Sequence, residues 1–140
     1  KGVVGVKQVP DEKIVKYCSL EVEHLKDNMF SCTDMIEKPK SEQVMSNYSI
    51  LGRVVLPPSI FEILKETPLG ACNELQLTDA MKTLAQKEGV VALEYEGTRY
   101  DMGDKFGILQ ANIEVGLKHP ETSKELKKYI KNLAENLVND

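Results

Sequence analysis

Met35-Ile36-Glu37-Lys38-Pro39, with Ser46-Asn47-Tyr48-Ser49-Ile50-Leu51-Gly52-Arg53 just after it, is the stretch around which this chain is organised. An apolar run ends in an acid and a base side by side, and a proline stops it. The proline ring removes an N–H and biases the preceding residue toward extended geometry. Neighbours along a strand point to opposite faces, but at a strand end closed by proline both charged heads can turn into one cleft. Alone, the tripeptide also reads as a solvated Glu–Lys pair on a loop, the default for surface charge.

Working outward, residues 29–36 and 19–25 are extended segments flanking Lys26-Asp27-Asn28, a turn-forming trio, and this predicts a hairpin. Val3, Val4 and Val6 form a β-branched run that favours a buried strand. Pro10 opens a short polar turn or helix over residues 11–17. Residues 40–45 are a polar loop, and residues 47–56 return as a mostly apolar strand ended by Pro57-Pro58. Ile60, Phe61, Ile63 and Leu64 mark a short amphipathic helix closed near Thr67-Pro68, and residues 69–73 a loop. Thr78 is expected to cap the next helix, with Ala80, Met81, Leu84 and Ala85 on one face and Gly89 past its end. Residues 90–95 form another strand. Gly103-Asp104 starts a helix carrying Phe106, Leu109, Ile113 and Leu117, ended by Pro120. A last helix aligns Leu126, Tyr129, Ile130, Leu133 and Leu137, a stripe that suits either core or a subunit contact. Strands and helices alternate, so the fold class is α/β.

A chain of 140 residues fits one domain with a real core, and 41% apolar and 29% charged residues are ordinary for a globular protein. The net charge of −4 argues against nucleic acid as a partner, because phosphate backbones require a basic surface. No run approaches the roughly 18 apolar residues of a membrane span, and no signal-peptide pattern opens the chain. Cys18, Cys32 and Cys72 are odd in number and match no zinc-ligand spacing, so reduced thiols in a cytoplasmic protein are expected. The first residue is Lys1, and residues 2–6 read as the middle of a sheet; the chain is expected to be a piece of a longer polypeptide.

Four blocks occur in order: Glu37-Lys38-Pro39, Ser46-Asn47-x-x-Ile50-Leu51-Gly52-Arg53, Glu74-Leu75-Gln76-Leu77-Thr78-Asp79-Ala80 and Arg99-Tyr100-Asp101-x-Gly103-Asp104-Lys105. Together they resemble the carboxy-terminal half of bacterial UTP–glucose-1-phosphate uridylyltransferases, also called UDP-glucose pyrophosphorylases, over nearly the whole chain. The resemblance implies a Rossmann-like nucleotidyltransferase fold, a mixed sheet with C-terminal helices. Residues 1–140 would then be the sugar-binding and carboxy-terminal portion, without the N-terminal nucleotide-binding half.

It also implies site residues. Glu37 would accept hydrogen bonds from glucose hydroxyls, and Lys38 would contact the sugar's phosphate. The chemistry is coherent, because an ionised carboxylate offers about four acceptor sites whereas lysine is a compact donor-only cation. Asn47 and Ile50 lie where relatives line the glucose pocket; Asn47 can donate and accept, and Ile50 is equally a core residue. Asp101 would help hold Mg2+ with a second, upstream Asp, since magnesium takes few carboxylates and keeps waters and phosphate oxygens. Either Asp101 or Asp104 could instead cap the helix that follows, and the resemblance assigns the metal to Asp101 and the cap to Asp104. Gln76-Leu77-Thr78-Asp79 reads as scaffold.

Departures from the family accompany these matches. Relatives commonly carry glycine at the position of Cys18, where the backbone approaches the sugar, so a side chain there is expected to crowd the pocket or shift the loop. Val54 stands in place of tyrosine and Cys72-Asn73 in place of a glycine pair. No G-x-G-T-R loop for a nucleotide triphosphate occurs in the chain. His24 and His119 have no partner pattern, and the lysines of the last helix form a solvated side.

The implied reaction joins UTP and glucose-1-phosphate into UDP-glucose and pyrophosphate, by in-line attack of the sugar phosphate oxygen on the α-phosphorus of UTP as pyrophosphate leaves. Lys38 and Asp101 would act on the reacting groups, and a homo-oligomer is expected. Two other readings stay open: a related pyrophosphorylase of thymidylyl or mannose type, and a non-catalytic assembly or binding module.

Overall fold

The computed structural model describes residues 1–70 and 73–137. Ala71 and Cys72, within the expected loop over residues 69–73, lie outside the described residues. The chain divides into two compact units, Lys1–Glu96 and Gly97–Asp140.

In the first unit, β1 (Gly2–Gln8), β2 (Cys18–Lys26), β3 (Met29–Glu37), β4 (Tyr48–Val55) and β5 (Val90–Glu94) form a sheet of order β2-β3-β5-β1-β4. β1 runs parallel to β5 and antiparallel to β4, and β3 runs antiparallel to β5, so the sheet is mixed as expected. The β2–β3 hairpin turns on Asp27, whose φ of 50° is a conformation that Asp tolerates in tight turns. Asn28 fastens that turn to β5, with Nδ2 donating to the Glu94 carbonyl at 2.8 Å. Gly52 at φ 84° accompanies the register shift between β1 and β4, which would strain any residue with a Cβ.

Alternation along β1 sends Val4 and Val6 into the core, fully buried, while Val3 stays partly exposed on the other face. Leu20, Met35 and Ala92 complete the inner face, and α2 (Ile60–Glu66) and α3 (Leu77–Lys87) contribute Ile60, Ile63, Ala80, Met81 and Leu84 to the same core. Phe61, expected on the apolar side of α2, is exposed, because it lies about 100° around the helix from Ile60. A short helix α1 (Asp11–Ile14) follows β1, and a 3-10 turn spans Ser41–Gln43 in the expected polar loop. α3 ends as expected at Gly89, φ 89°, whose N–H reaches the Leu84 and Ala85 carbonyls.

The second unit is a pair of helices, α4 (Lys105–Lys118) and α5 (Ser123–Leu137). Asp104 caps α4 through its carboxylate, which accepts from the Gly107 N–H at 2.8 Å, as the sequence suggests. Gly116 lets α5 come close: a Cβ there would sit 2.8 Å from Leu126. Thr122 closes the connection by donating to the Gly116 carbonyl at 2.8 Å. No described helix is long and apolar enough to cross a membrane.

Candidate functional site: the Glu37–Lys38 turn

Glu37 is the last residue of β3 and pairs in register with Cys18, the first of β2. Lys38 then adopts φ 46°, a left-handed conformation that costs a non-glycine residue about 1–2 kcal/mol. Its N–H donates to the Tyr17 carbonyl at 2.7 Å, and Pro39 beside it is buried. The turn breaks the alternation that would otherwise send the two charges to opposite faces. Strain of this kind persists where the surroundings over-determine it, and here a short hydrogen bond and a buried proline do so.

The Glu37 carboxylate has a second tether. Thr78 Oγ1 donates to Glu37 Oε2 at 2.8 Å across 41 residues of sequence. This corrects the expectation that Thr78 caps α3. Gln76 holds the cap position without a side-chain hydrogen bond, and Thr78 sits one residue inside the helix. Sequence spacing could not reveal the contact, because Leu77-Thr78-Asp79 before a helical stripe reads as an ordinary helix start.

Cys18 does not project from the sheet. It is buried, and its thiol meets Ser49 Oγ at 3.4 Å and accepts from the Ile50 N–H at 3.2 Å. Burial pushes its pKa up, against the opposing pull of the Ser49 and Ile50 contacts. Its side chain is thus part of the packing between β2 and β4. Ser19 continues this seam: its hydroxyl donates to the Ser46 carbonyl at 2.8 Å and accepts from the Met45 and Ser46 N–H groups. That fixes the segment carrying Asn47 and Ile50 beside β2. Ile50 packs against the core while remaining partly exposed. Asn47 donates through Nδ2 to the Asp11 carboxylate, and its carbonyl accepts from the Val9 N–H at 2.8 Å. Within the first unit Glu37 is thus linked to Cys18 by register, Cys18 to Ile50 by hydrogen bond and Glu37 to Thr78 by its tether, while Asn47 bonds Asp11.

Asp101 belongs to the second unit. Its Oδ1 accepts from the Gly103 N–H at 3.0 Å, and Oδ2 lies 3.4 Å from Arg99 Nη2. Its backbone presses onto α4, where a Cβ at Gly107 would stand 2.1 Å from the Asp101 carbonyl oxygen. Among the described residues no three His, Cys, Asp or Glu side chains cluster as a metal would need. A lone carboxylate on a turn suits magnesium only as part of a donor set completed by phosphates, waters and other groups. His24 stacks edge-on against Phe30 at 5.4 Å, and His119 ends α4 and accepts from the Glu121 N–H.

No family model matches the chain. The UTP–glucose-1-phosphate uridylyltransferase of Streptococcus pneumoniae is 41% identical over 138 residues, which are 98% of this chain and 46% of that protein. A UDP-glucose pyrophosphorylase solved in complex with UDP-glucose superposes with a TM-score of 0.80 at 37% identity, over 84% of this chain and 45% of that one. The UTP-bound UGPase from Acinetobacter baumannii gives 0.82 at 34% identity, over 94% of this chain and 45% of that one. The chain spans about half the length of the relatives it matches. In sequence and in fold, nearly the whole of this chain is homologous to about half of a UTP–glucose-1-phosphate uridylyltransferase.

Proposed function

We propose that this chain supplies the hexose-phosphate-binding part of a uridylyltransferase that makes UDP-glucose and pyrophosphate from UTP and glucose-1-phosphate. The observation that carries the reading is the left-handed turn at Lys38, held by Tyr17 immediately after a carboxylate held by Thr78. A tethered carboxylate next to a lysine whose backbone is fixed suits the two ends of a sugar phosphate, hydroxyls on one and phosphate on the other. Relatives act on UTP and glucose-1-phosphate by name, and one structural neighbour holds UDP-glucose.

In this reading Glu37 orients the glucose, and Lys38 neutralises the phosphate whose oxygen attacks the α-phosphorus of UTP in line. Asn47 and Ile50 border the sugar. Positioning and charge neutralisation supply most of the rate, and no covalent intermediate on the protein is needed. Asp101 is the residue of this chain that would contribute to holding Mg2+, which when bound would neutralise phosphate charge. The glycine-rich triphosphate loop would belong to the sequence that the relatives carry outside the matched segment. The chain alone is therefore expected to make no UDP-glucose, and robust turnover by it would overturn this division of labour.

The reading extends to assembly and location. Tyr129, Leu133 and Leu137 on α5 are exposed apolar residues that suit contact with a second copy, and Cys18 and Cys32 are free thiols that suit the cytoplasm. Light scattering across concentrations tests the first; a strict monomer would remove it. The function itself is tested by exchanging this chain for the matched segment of the S. pneumoniae relative. The hybrid is expected to form UDP-glucose, and a folded hybrid without activity would contradict the reading.

A further inference from the structure

Threonine in the first turn of a helix commonly turns its hydroxyl to its own backbone, but Thr78 directs its one proton to a carboxylate on another element. The helix that carries it is firmly seated: Ala80 and Leu84 are fully buried and Met81 nearly so. Thr78 itself is only 8% exposed, so little water competes for the bond. The donated proton occupies one position on Oε2. Oε1 and the second lone pair of Oε2 are left to accept from a ligand.

From this we infer that Thr78 is a positioning residue for the sugar: by holding Oε2 it fixes the Glu37 side chain in the rotamer that receives the hexose hydroxyls. The inference rests on the role of Glu37 proposed above. A glutamate side chain has three rotatable bonds, and ordering it only when the sugar arrives would weaken binding. The tether does that ordering in advance, in a segment whose backbone is already fixed by the Lys38–Tyr17 bond. Thr78 touches neither phosphate nor uridine in this account, so its effect falls on the sugar phosphate alone.

Thr78→Val removes the donor at nearly constant volume, and Thr78→Ser keeps it. The first readout needs no ligand: three-bond couplings along the Glu37 side chain, measured by NMR on this chain. They are expected to report one rotamer in the parent and in Thr78→Ser, and an average over rotamers in Thr78→Val. The second readout is kinetic, in the S. pneumoniae hybrid. Thr78→Val is expected to raise KM for glucose-1-phosphate about tenfold, the scale of one lost hydrogen bond to a charged group, with KM for UTP unchanged and Thr78→Ser restoring the parent value. Couplings that stay fixed in Thr78→Val would overturn the tether. Averaged couplings with an unchanged sugar-phosphate KM would also overturn the inference, and would place the fault in the role given to Glu37. Should Thr78→Val fail to fold, Thr78→Ala is read in the same two ways.

Discussion

The two units treat their apolar residues differently. In Lys1–Glu96 most of the residues at strand and helix spacing close a core: Val4, Val6, Leu20, Met35 and Leu84 have no exposed surface. In Gly97–Asp140 many of the residues at equally regular spacing are exposed, with Phe106 at 65%, Leu109 at 58% and Tyr129 at 63%, while Leu117, Leu126 and Ile130 are half-buried. What holds the second unit is backbone fit: the Asp104 cap, the close approach at Gly107 and the Gly116–Leu126 contact. Periodicity announces that a helix has an apolar face. It does not announce what lies against that face.

The contrast can be broken by substitution. Leu84→Ala should destabilise the first unit by about 2–5 kcal/mol in urea denaturation, because it opens a cavity in a closed core. A loss under 1 kcal/mol would mean that this core is not the source of stability. Gly107→Ala should cost about 1–3 kcal/mol, since the added Cβ meets the Asp101 backbone rather than a movable side chain. Its amide spectrum should show shifts concentrated over residues 101–107, and an unchanged turn would contradict the close approach. Asp104→Ala should cost about 1 kcal/mol, read as faster amide exchange in the first turn of α4. Phe106→Ala should change stability by no more than about 0.5 kcal/mol, the range of an exposed site.

Acidity sharpens the same contrast. Cys32 is buried between strands, and burial raises its pKa to about 12, while Cys18 is raised in the same direction. The unfolded chain releases these protons near pH 8.5 and the folded one does not, so the unfolded state binds fewer protons above that pH. Stability is therefore complete below about pH 8.5 and falls as pH rises toward 12, by at most about 1.4 kcal/mol per pH unit for each thiol. Alkylation mapped to the peptides containing Cys18 and Cys32 should be slow at pH 8 in the folded chain and fast in urea.

Much of this was legible in the sequence, for identifiable reasons. The β-branched run of Val3, Val4 and Val6, the Asp27-Asn28 turn, the double proline after β4 and Gly89 after α3 are local signals, and local signals marked the elements and their ends. Asp104 as the cap came from the family blocks, because place before the helix left Asp101 equally eligible. Thr78 was read as a cap from its place before the helical stripe, wrongly, since its hydrogen bond spans 41 residues and leaves no spacing to detect. The contacts of Cys18 were not legible either: its thiol turns toward Ser49 and Ile50, which depends on how β2 meets β4. Grouping Glu37, Lys38, Asn47 and Ile50 needed the family blocks, because no periodicity links a strand end to the strand after it.

The central claim is that Lys38 receives the phosphate of a hexose phosphate beside a carboxylate that receives its hydroxyls. Steady-state kinetics of Lys38→Ala in the S. pneumoniae hybrid test it most directly. The expected result is a fall in kcat/KM for glucose-1-phosphate at least tenfold larger than the fall for UTP, about 1.4 kcal/mol of selective loss. Equal losses for the two substrates would contradict it.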